Sequence, residues 1–337
     1  MICMDLATAA SDDGRMTGQP PDSVPASESA PRDSRPSSGD LRPAPQRPSS
    51  PELSHRVLAA ELKRVRLDAG LTHVQLARTL GWPQAKLSKI ESAKQGVGVD
   101  AVMAITETCG VEGDHRAHLV ELARQARRKG WWESYRDVLP PDRRSYVGLE
   151  SDASTVRVFA TESVPELLQT TDYAEAQLRA RAGSAAERRL QLLLDRQRQV
   201  LARAEDGIPG RAVRPSPRVE TVLAESALYR FAGEAQVLAE QRYRLVAAAR
   251  SQAVSVRVVP FRSGPLPLDG SFTLLGFGDG RHPDAAFRSD RVGWERCVGE
   301  NALSVHQQAW RELTTMALDT AESIRFLVDL AGAESVP

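Results

Sequence analysis

Lysine is nearly missing from this chain: five of its 44 basic residues are lysine and the rest are arginine. With alanine abundant, that choice fits a GC-rich coding sequence and speaks to source, not chemistry. Cysteine is as scarce. Cys3, Cys109 and Cys297 lie far apart with no C-x-x-C pair, which argues against a zinc ribbon or a disulfide framework and fits a reducing compartment. No stretch approaches the ~18 apolar residues of a membrane helix. The N-terminus holds Asp5, Asp12 and Asp13 without a long apolar run, so no signal peptide is read there and a cytoplasmic location is expected. Net charge is zero, which excludes nothing, because what counts is where charge lies. At 337 residues and 41% apolar, the chain can bury a sizeable core, and two domains plus a tail are expected.

Residues 1–50 are rich in Pro, Ser, Asp and Gly and nearly empty of large apolar side chains after Leu6. Such a segment cannot offset the entropy of ordering it, so it is expected to be a disordered tail. From Ser54 to about Asp68, Leu58, Leu62 and Val65 recur at helical spacing, with Lys63, Arg64 and Arg66 off the apolar stripe and Gly70 as the stop.

The stretch Leu71 to Lys94 then reads as two short helices joined by a tight turn. Thr72 and Gln75 have the spacing of a capping box, and a helix is expected from about His73 to Leu80, with Leu76, Ala77 and Leu80 inward. Gly81 ends it as a left-handed cap, and Trp82-Pro83 opens the next helix, from about Gln84 to Ser92. In that helix Leu87 and Ile90 must be buried. Gln84, Ala85, Ser88 and Lys89 are left outward, with Lys86 at the flank. Gln can bond adenine bidentately, Lys can bond guanine or phosphate, and small residues permit close approach, so this face suits the major groove of double-stranded DNA. Between Ser54 and Lys94 there are eight Lys or Arg against three acids, a local positive footprint within a neutral chain. Further helices are expected over Val99–Thr108, on Val102 and Ile105, and from Asp114 to Lys129, on Leu119, Leu122 and Ala126. His115 and His118 share a helix face but have no third ligand nearby, so no metal site is read there.

Gln75-Leu76-Ala77, Gly81, Gln84 and Ser88-Lys89-Ile90-Glu91 give this region a resemblance to the helix-turn-helix of lambda-repressor-like (XRE) regulators. The resemblance implies a five-helix DNA-binding domain over 51–129. It also implies that Gln84, Ala85, Ser88 and Lys89 read bases and that Thr72, His73, Lys86 and Lys94 hold phosphate. Family members often carry Gly after the recognition helix, where this chain has Ser92-Ala93.

Beyond Gly130, the Trp131-Trp132 pair with Tyr135 is expected to bury against the second domain. From Trp131-Trp132-Glu133 through Tyr146–Glu150, Val164-Pro165, Leu167–Thr170, Tyr173-Ala174, Arg196-Gln197, Val256–Phe261 and Gly270–Phe277, the chain resembles a C-terminal domain of unknown function that accompanies XRE regulators in actinobacteria. That resemblance implies a couple of the toxin–antitoxin or regulator–effector kind, in which a small partner protein encoded nearby modulates DNA affinity. Glu166 stands where the family usually has Gly.

Read from its own residues, 130–337 is mixed. Tyr146–Phe159 suits a strand or a short helix. Ala185–Ala204 is an amphipathic helix with Leu190, Leu193, Leu194 and Leu201 inward and Arg188, Arg189, Asp195 and Arg196 outward. Strands are expected at Arg218–Ala224, Val254–Val258, Ser271–Phe277 and Ala285–Arg288, and helices at Glu234–Arg250, Asn301–Ala317 and Thr320–Leu330. The fold class is therefore mainly α with an α+β C-terminal part built on a small sheet. Gly276–Gly280 follows a strand but leads into His282-Pro283 without a helix start, so it reads as a hairpin turn and not a phosphate loop. No catalytic residue and no cofactor are assigned.

The expectation is a sequence-specific transcriptional regulator, homodimeric on a near-palindromic site. Its second domain is expected to sense a partner protein or a small effector. The alternative is an antitoxin-like module that sequesters a partner. A small-molecule sensor is a third reading, with a pocket lined by the Leu167-Leu168-Gln169 turn and the strand at Val254.

Overall fold

The structure, a computed structural model, describes residues 50–201, 217–231, 233–251, 253–278, 284–289, 294–299 and 301–332, all within one compact unit. The tail over residues 1–49, the end of the helix expected to reach Ala204 and the turn at 279–283 lie outside the described residues.

Helix α1 spans Pro51–Asp68. Ser50 caps it by accepting from the Leu53 amide, and Pro51 occupies the first turn. The start expected at Ser54 thus moves forward, because Ser-Pro supplies both a side-chain acceptor and a preset φ. Four shorter helices follow: α2 (His73–Thr79), α3 (Gln84–Glu91), α4 (Val99–Thr108) and α5 (Gly113–Ala126). Leu58, Leu62, Val65, Leu76, Leu87, Ile90, Val102, Ile105 and Leu119 close one core. On α5 the inward small residue is Ala123, with Ala126 half-buried.

Arg66 corrects the expectation of a wholly outward basic row. Its side chain is buried and forks onto Glu91, Nε to Oε1 at 2.7 Å and Nη2 to Oε2 at 2.8 Å, while Nη1 donates to the Leu71 carbonyl at 2.7 Å. Removing two charges from water is tolerable only when they satisfy each other this fully.

A 3-10 turn, Trp131–Tyr135, connects to the second part. Trp132 and Tyr135 are buried, and Trp131 meets both edge-on, as expected of an aromatic seam. The segment left open between strand and helix is both: α6 (Pro141–Glu150) and β1 (Thr155–Ala160). After it come α7 (Thr171–Ala182), α8 (Ala186–Leu201), β2 (Arg218–Ala224), α9 (Ala235–Ala249), β3 (Val254–Val259), β4 (Phe272–Gly276), β5 (Ala285–Ser289), β6 (Trp294–Arg296), α10 (Ala302–Met316) and α11 (Thr320–Gly332).

The strands form one sheet in the order β3-β2-β1-β4-β5-β6. Pairing is parallel from β1 through β3 and antiparallel from β1 through β6, so β1 is the seam of a mixed sheet. Successive residues alternate faces. Ala160, Leu223 and Val258 join a core with Leu245 of α9 and Leu327 of α11, whereas Phe159, Val222 and Val259 join one with Trp310 and Leu313 of α10.

On α8 the buried stripe is Leu192, Leu193, Arg196 and Val200. Arg196, read as outward, faces in because carboxylates wait for it there. Helix α1 also packs on α6: the Ser50 amide donates to Asp152 at 2.5 Å, and Gly148 lets the Glu52 side chain lie where a Cβ would stand 2.5 Å from Oε2. Leu53 and Val57 of α1 share one buried cluster with Val147, Leu149 and Val156.

Candidate nucleic-acid interface

The capping box at the start of α2 is complete. Thr72 accepts from the Gln75 amide at 3.2 Å, and Gln75 Oε1 accepts from the Thr72 amide at 2.8 Å. Gly81, at φ +64°, ends the helix, with the Trp82 amide reaching back to Ala77 O at 2.8 Å. Pro83 caps α3 from outside, and Leu87, Ile90 and Glu91 form its buried side.

The opposite face carries the residues expected to read bases: Gln84, Ala85, Ser88 and Lys89 are all exposed, and Lys89 has no ion-pair partner among the described residues. Of the expected phosphate contacts, Thr72 and Lys94 are exposed. Lys86 is half-buried with its ammonium 3.8 Å from the centre of the Trp82 ring, a cation–π contact that fixes its position at the turn. His73 is drawn the other way, with Nε2 2.9 Å from Glu91 Oε2.

Glu91 thus receives Arg66 from α1 and His73 from α2 while sitting on α3 itself. This carboxylate ties three helices together behind the exposed face, a role the sequence marked only by the Glu that closes the SKIE motif. Ala93, where a Gly is usual, takes φ +53°, with the Lys94 amide bonded to Lys89 O at 2.8 Å. The turn that ends α3 is therefore kept with an alanine in the left-handed region.

A second constellation lies under α8. Arg196 donates to both oxygens of Glu150 at 2.9 Å and also bonds Glu166. Its guanidinium lies 4.5 Å from the Trp294 ring centre, and Tyr146 donates to Glu150 Oε1 at 2.7 Å. Burial alone would lower the Arg196 pKa, but the two carboxylates raise it, so its charge is fixed. Burial pushes the Tyr146 hydroxyl well up, and the neighbouring Glu150 charge adds to this. For Glu166, burial would raise the carboxyl, yet the guanidiniums of Arg196, Arg143 and Arg189 hold it below its ordinary value.

Around this network an inner recess of about 180 Å³ shares Glu166, Arg181, Arg196 and Trp294 with a wider cleft of about 1270 Å³. Leu167 and Gln169 line the recess as expected, but Leu168 packs in the core under α9 and Val254 sits on β3, at the far edge of the sheet. The pocket is built on α6, α7 and α8 instead.

Among the described residues no group of three or more His, Cys, Asp or Glu is placed to hold a metal ion, and no helix is long and apolar enough to cross a membrane.

A tri-helical turn with an open polar recognition face is the mark of helix-turn-helix DNA-binding proteins, and residues 57–119 match the family described as a helix-turn-helix domain. Residues 143–329, more than half of the chain, match the family described as a domain of unknown function (DUF5753), and the chain belongs to that family. No curated protein and no solved structure matches it.

Proposed function

We propose that the protein is a sequence-specific transcriptional regulator that binds double-stranded DNA as a homodimer and acts by binding, not by catalysis. The observation that carries this reading is the exposed row Gln84, Ala85, Ser88 and Lys89 on α3, held from behind by Leu87, Ile90 and the Arg66–Glu91 pair. Two such helices about one DNA turn apart would read a near-palindromic site.

The second domain is the sensing part. It reaches the DNA-reading helices through α6, which lines the cleft with Arg143 and Val147 and meets α1 at Gly148. Selection of bound sequences from a random DNA pool, using the full-length protein at two salt concentrations, tests the reading. An enriched inverted repeat is expected. Retention that is salt-sensitive but blind to sequence overturns it.

One observation favours the antitoxin-like reading, in which a small partner protein docks on the second domain. Tyr229 and Phe261 are exposed and stack on each other with ring centres 6.4 Å apart, presenting an aromatic surface of the kind enriched in interfaces. Loss of partner capture in Phe261→Ala is expected, and unchanged capture rejects that surface.

A further inference from the structure

The cleft beside Arg196 has a charge distribution that the chain does not itself use up. Arg196 is committed to Glu150 and Glu166, and Glu162 at the rim pairs with Arg230 at 2.6 Å. What remains is on the wall made by α7 and α8. Arg181 is exposed on that wall with no ion-pair or hydrogen-bond partner among the described residues, and Arg189 Nε is buried there without a hydrogen-bond acceptor. A guanidinium N–H shut away from water and left unbonded is costly, and in native proteins such groups mark places where an acceptor arrives. The acids that line the same cleft are Glu162, Glu166 and the exposed Asp269.

Glu166 offsets part of this charge, because Arg189 is among the guanidiniums that hold its carboxyl below its ordinary value. Its carboxylate bonds Arg196, and among the described residues it makes no hydrogen bond to Arg181 or Arg189. The same cleft is also lined by the apolar side chains of Leu139, Leu192 and Leu193. The buried, unbonded Nε of half-buried Arg189, the unpartnered guanidinium of Arg181 and the apolar lining together offer contacts for the two ends of a ligand. At about 1270 Å³ the cleft exceeds the roughly 300–1,000 Å³ typical of small-molecule sites, so it has room for a ligand with both an acidic group and an apolar body.

We propose that this cleft binds an amphipathic organic anion, its acidic group on Arg181 and Arg189 and its apolar body along Leu139, Leu192 and Leu193. The inference deepens the sensing role given above to the second domain, and rests on it for regulation but not for binding. A ligand seated there touches α6 at Arg143 and Val147, so its occupancy is felt by the helix that carries α1.

The test uses the full-length protein and the fluorescent anion 1-anilinonaphthalene-8-sulfonate, with decanoate and decanol as competitors of equal chain length and different charge. One saturable site is expected, displaced by decanoate and not by decanol. In Arg181→Gln/Arg189→Gln its affinity is expected to fall about tenfold, the loss of charge-assisted contacts to the acidic group. Arg181→Gln alone, a change at an exposed residue, is expected to weaken binding about threefold, so the result does not depend on how the double variant folds. Equal affinity in wild type and variants, no saturable site, or equal displacement by decanol overturns the proposal. DNA retention measured with and without decanoate separates the two claims. Binding with unchanged retention supports the cleft and rejects its regulatory role, whereas a missing site rejects the cleft and leaves partner-driven regulation standing.

Discussion

Replacing Glu52 with glutamine should stabilise the protein, and by an amount that depends on pH. Glu52 lies in the first turn of α1, pressed against α6 at Gly148, and its Oε2 is buried without a hydrogen-bond partner. Burial raises its carboxyl from 4.5 to about 7, and the nearby charges of Glu133 and Asp152 push in the same direction. The sign follows from proton counting. Below about pH 4.5 the group is protonated in both folded and unfolded chains and has no effect. Between there and pH 7 the unfolded chain gives up its proton while the folded chain holds on, so stability falls as pH rises. Above 7 the full penalty is present. A displacement of this size corresponds to about 3 kcal/mol. Glu52→Gln keeps the shape and removes the charge. Its unfolding free energy in urea should therefore exceed that of the wild type by about 3 kcal/mol at pH 8 and by less than about 1 kcal/mol at pH 5. Taking the difference between two proteins at each pH cancels the titrating groups that do not interact with Glu52. An equal gain at both pH values, or a loss at pH 8, would refute the argument.

Four further outcomes are expected. Glu91→Ala leaves the Arg66 guanidinium buried and unpaired, so denaturant titration should show a loss of about 3–5 kcal/mol, together with loss of DNA binding; a loss under about 1 kcal/mol would mean the pair is not the brace described. Ala93→Gly relieves a left-handed backbone and should raise stability by about 1 kcal/mol, read as a higher melting temperature, with an unchanged or lower value counting against the turn. Gln84→Ala and Lys89→Ala should weaken specific DNA by about 1–3 kcal/mol with the circular dichroism spectrum intact, and unchanged sequence preference in a folded variant would sink their assignment. Lys86→Ala should weaken all DNA alike and flatten the salt dependence of binding; a change in which base is preferred would reverse the division between reading and positioning.

What the sequence disclosed was local. The capping box at Thr72 and Gln75, the left-handed Gly81 and the Leu87–Ile90 pair act within a few residues of one another, so pattern alone placed α2, the turn and α3. Strands such as β2 and β3 were legible for the same reason, because alternating valines have few other uses. The pairing of charges across distance was not legible. Glu91 bonds Arg66 over 25 positions and Arg196 bonds Glu150 over 46, and nothing in a helical period says that an arginine will meet a carboxylate inside. Periodicity therefore set the buried face of α8 slightly off, sending Arg196 to solvent. The seam at β1 was hidden too, since a strand buried on both faces reads alike whether its neighbour runs parallel or antiparallel. Glu166 is the instructive case: it stands where the resembled family usually has glycine, and it supplies an acid for Arg196.

Helix α1 has two owners. It closes the core under the recognition helix, and its first turns also complete the packing of α6. A fragment ending before Gly130 would expose Leu53 and Val57, and a fragment beginning there would uncover the other side of the same joint. The helix-turn-helix half is therefore not a cartridge that recombination can lift onto a different second half unchanged. A lineage that exchanged one half would have to rework the other along this single helix, so the two halves are expected to drift together, substitution answering substitution across Glu52 and Gly148.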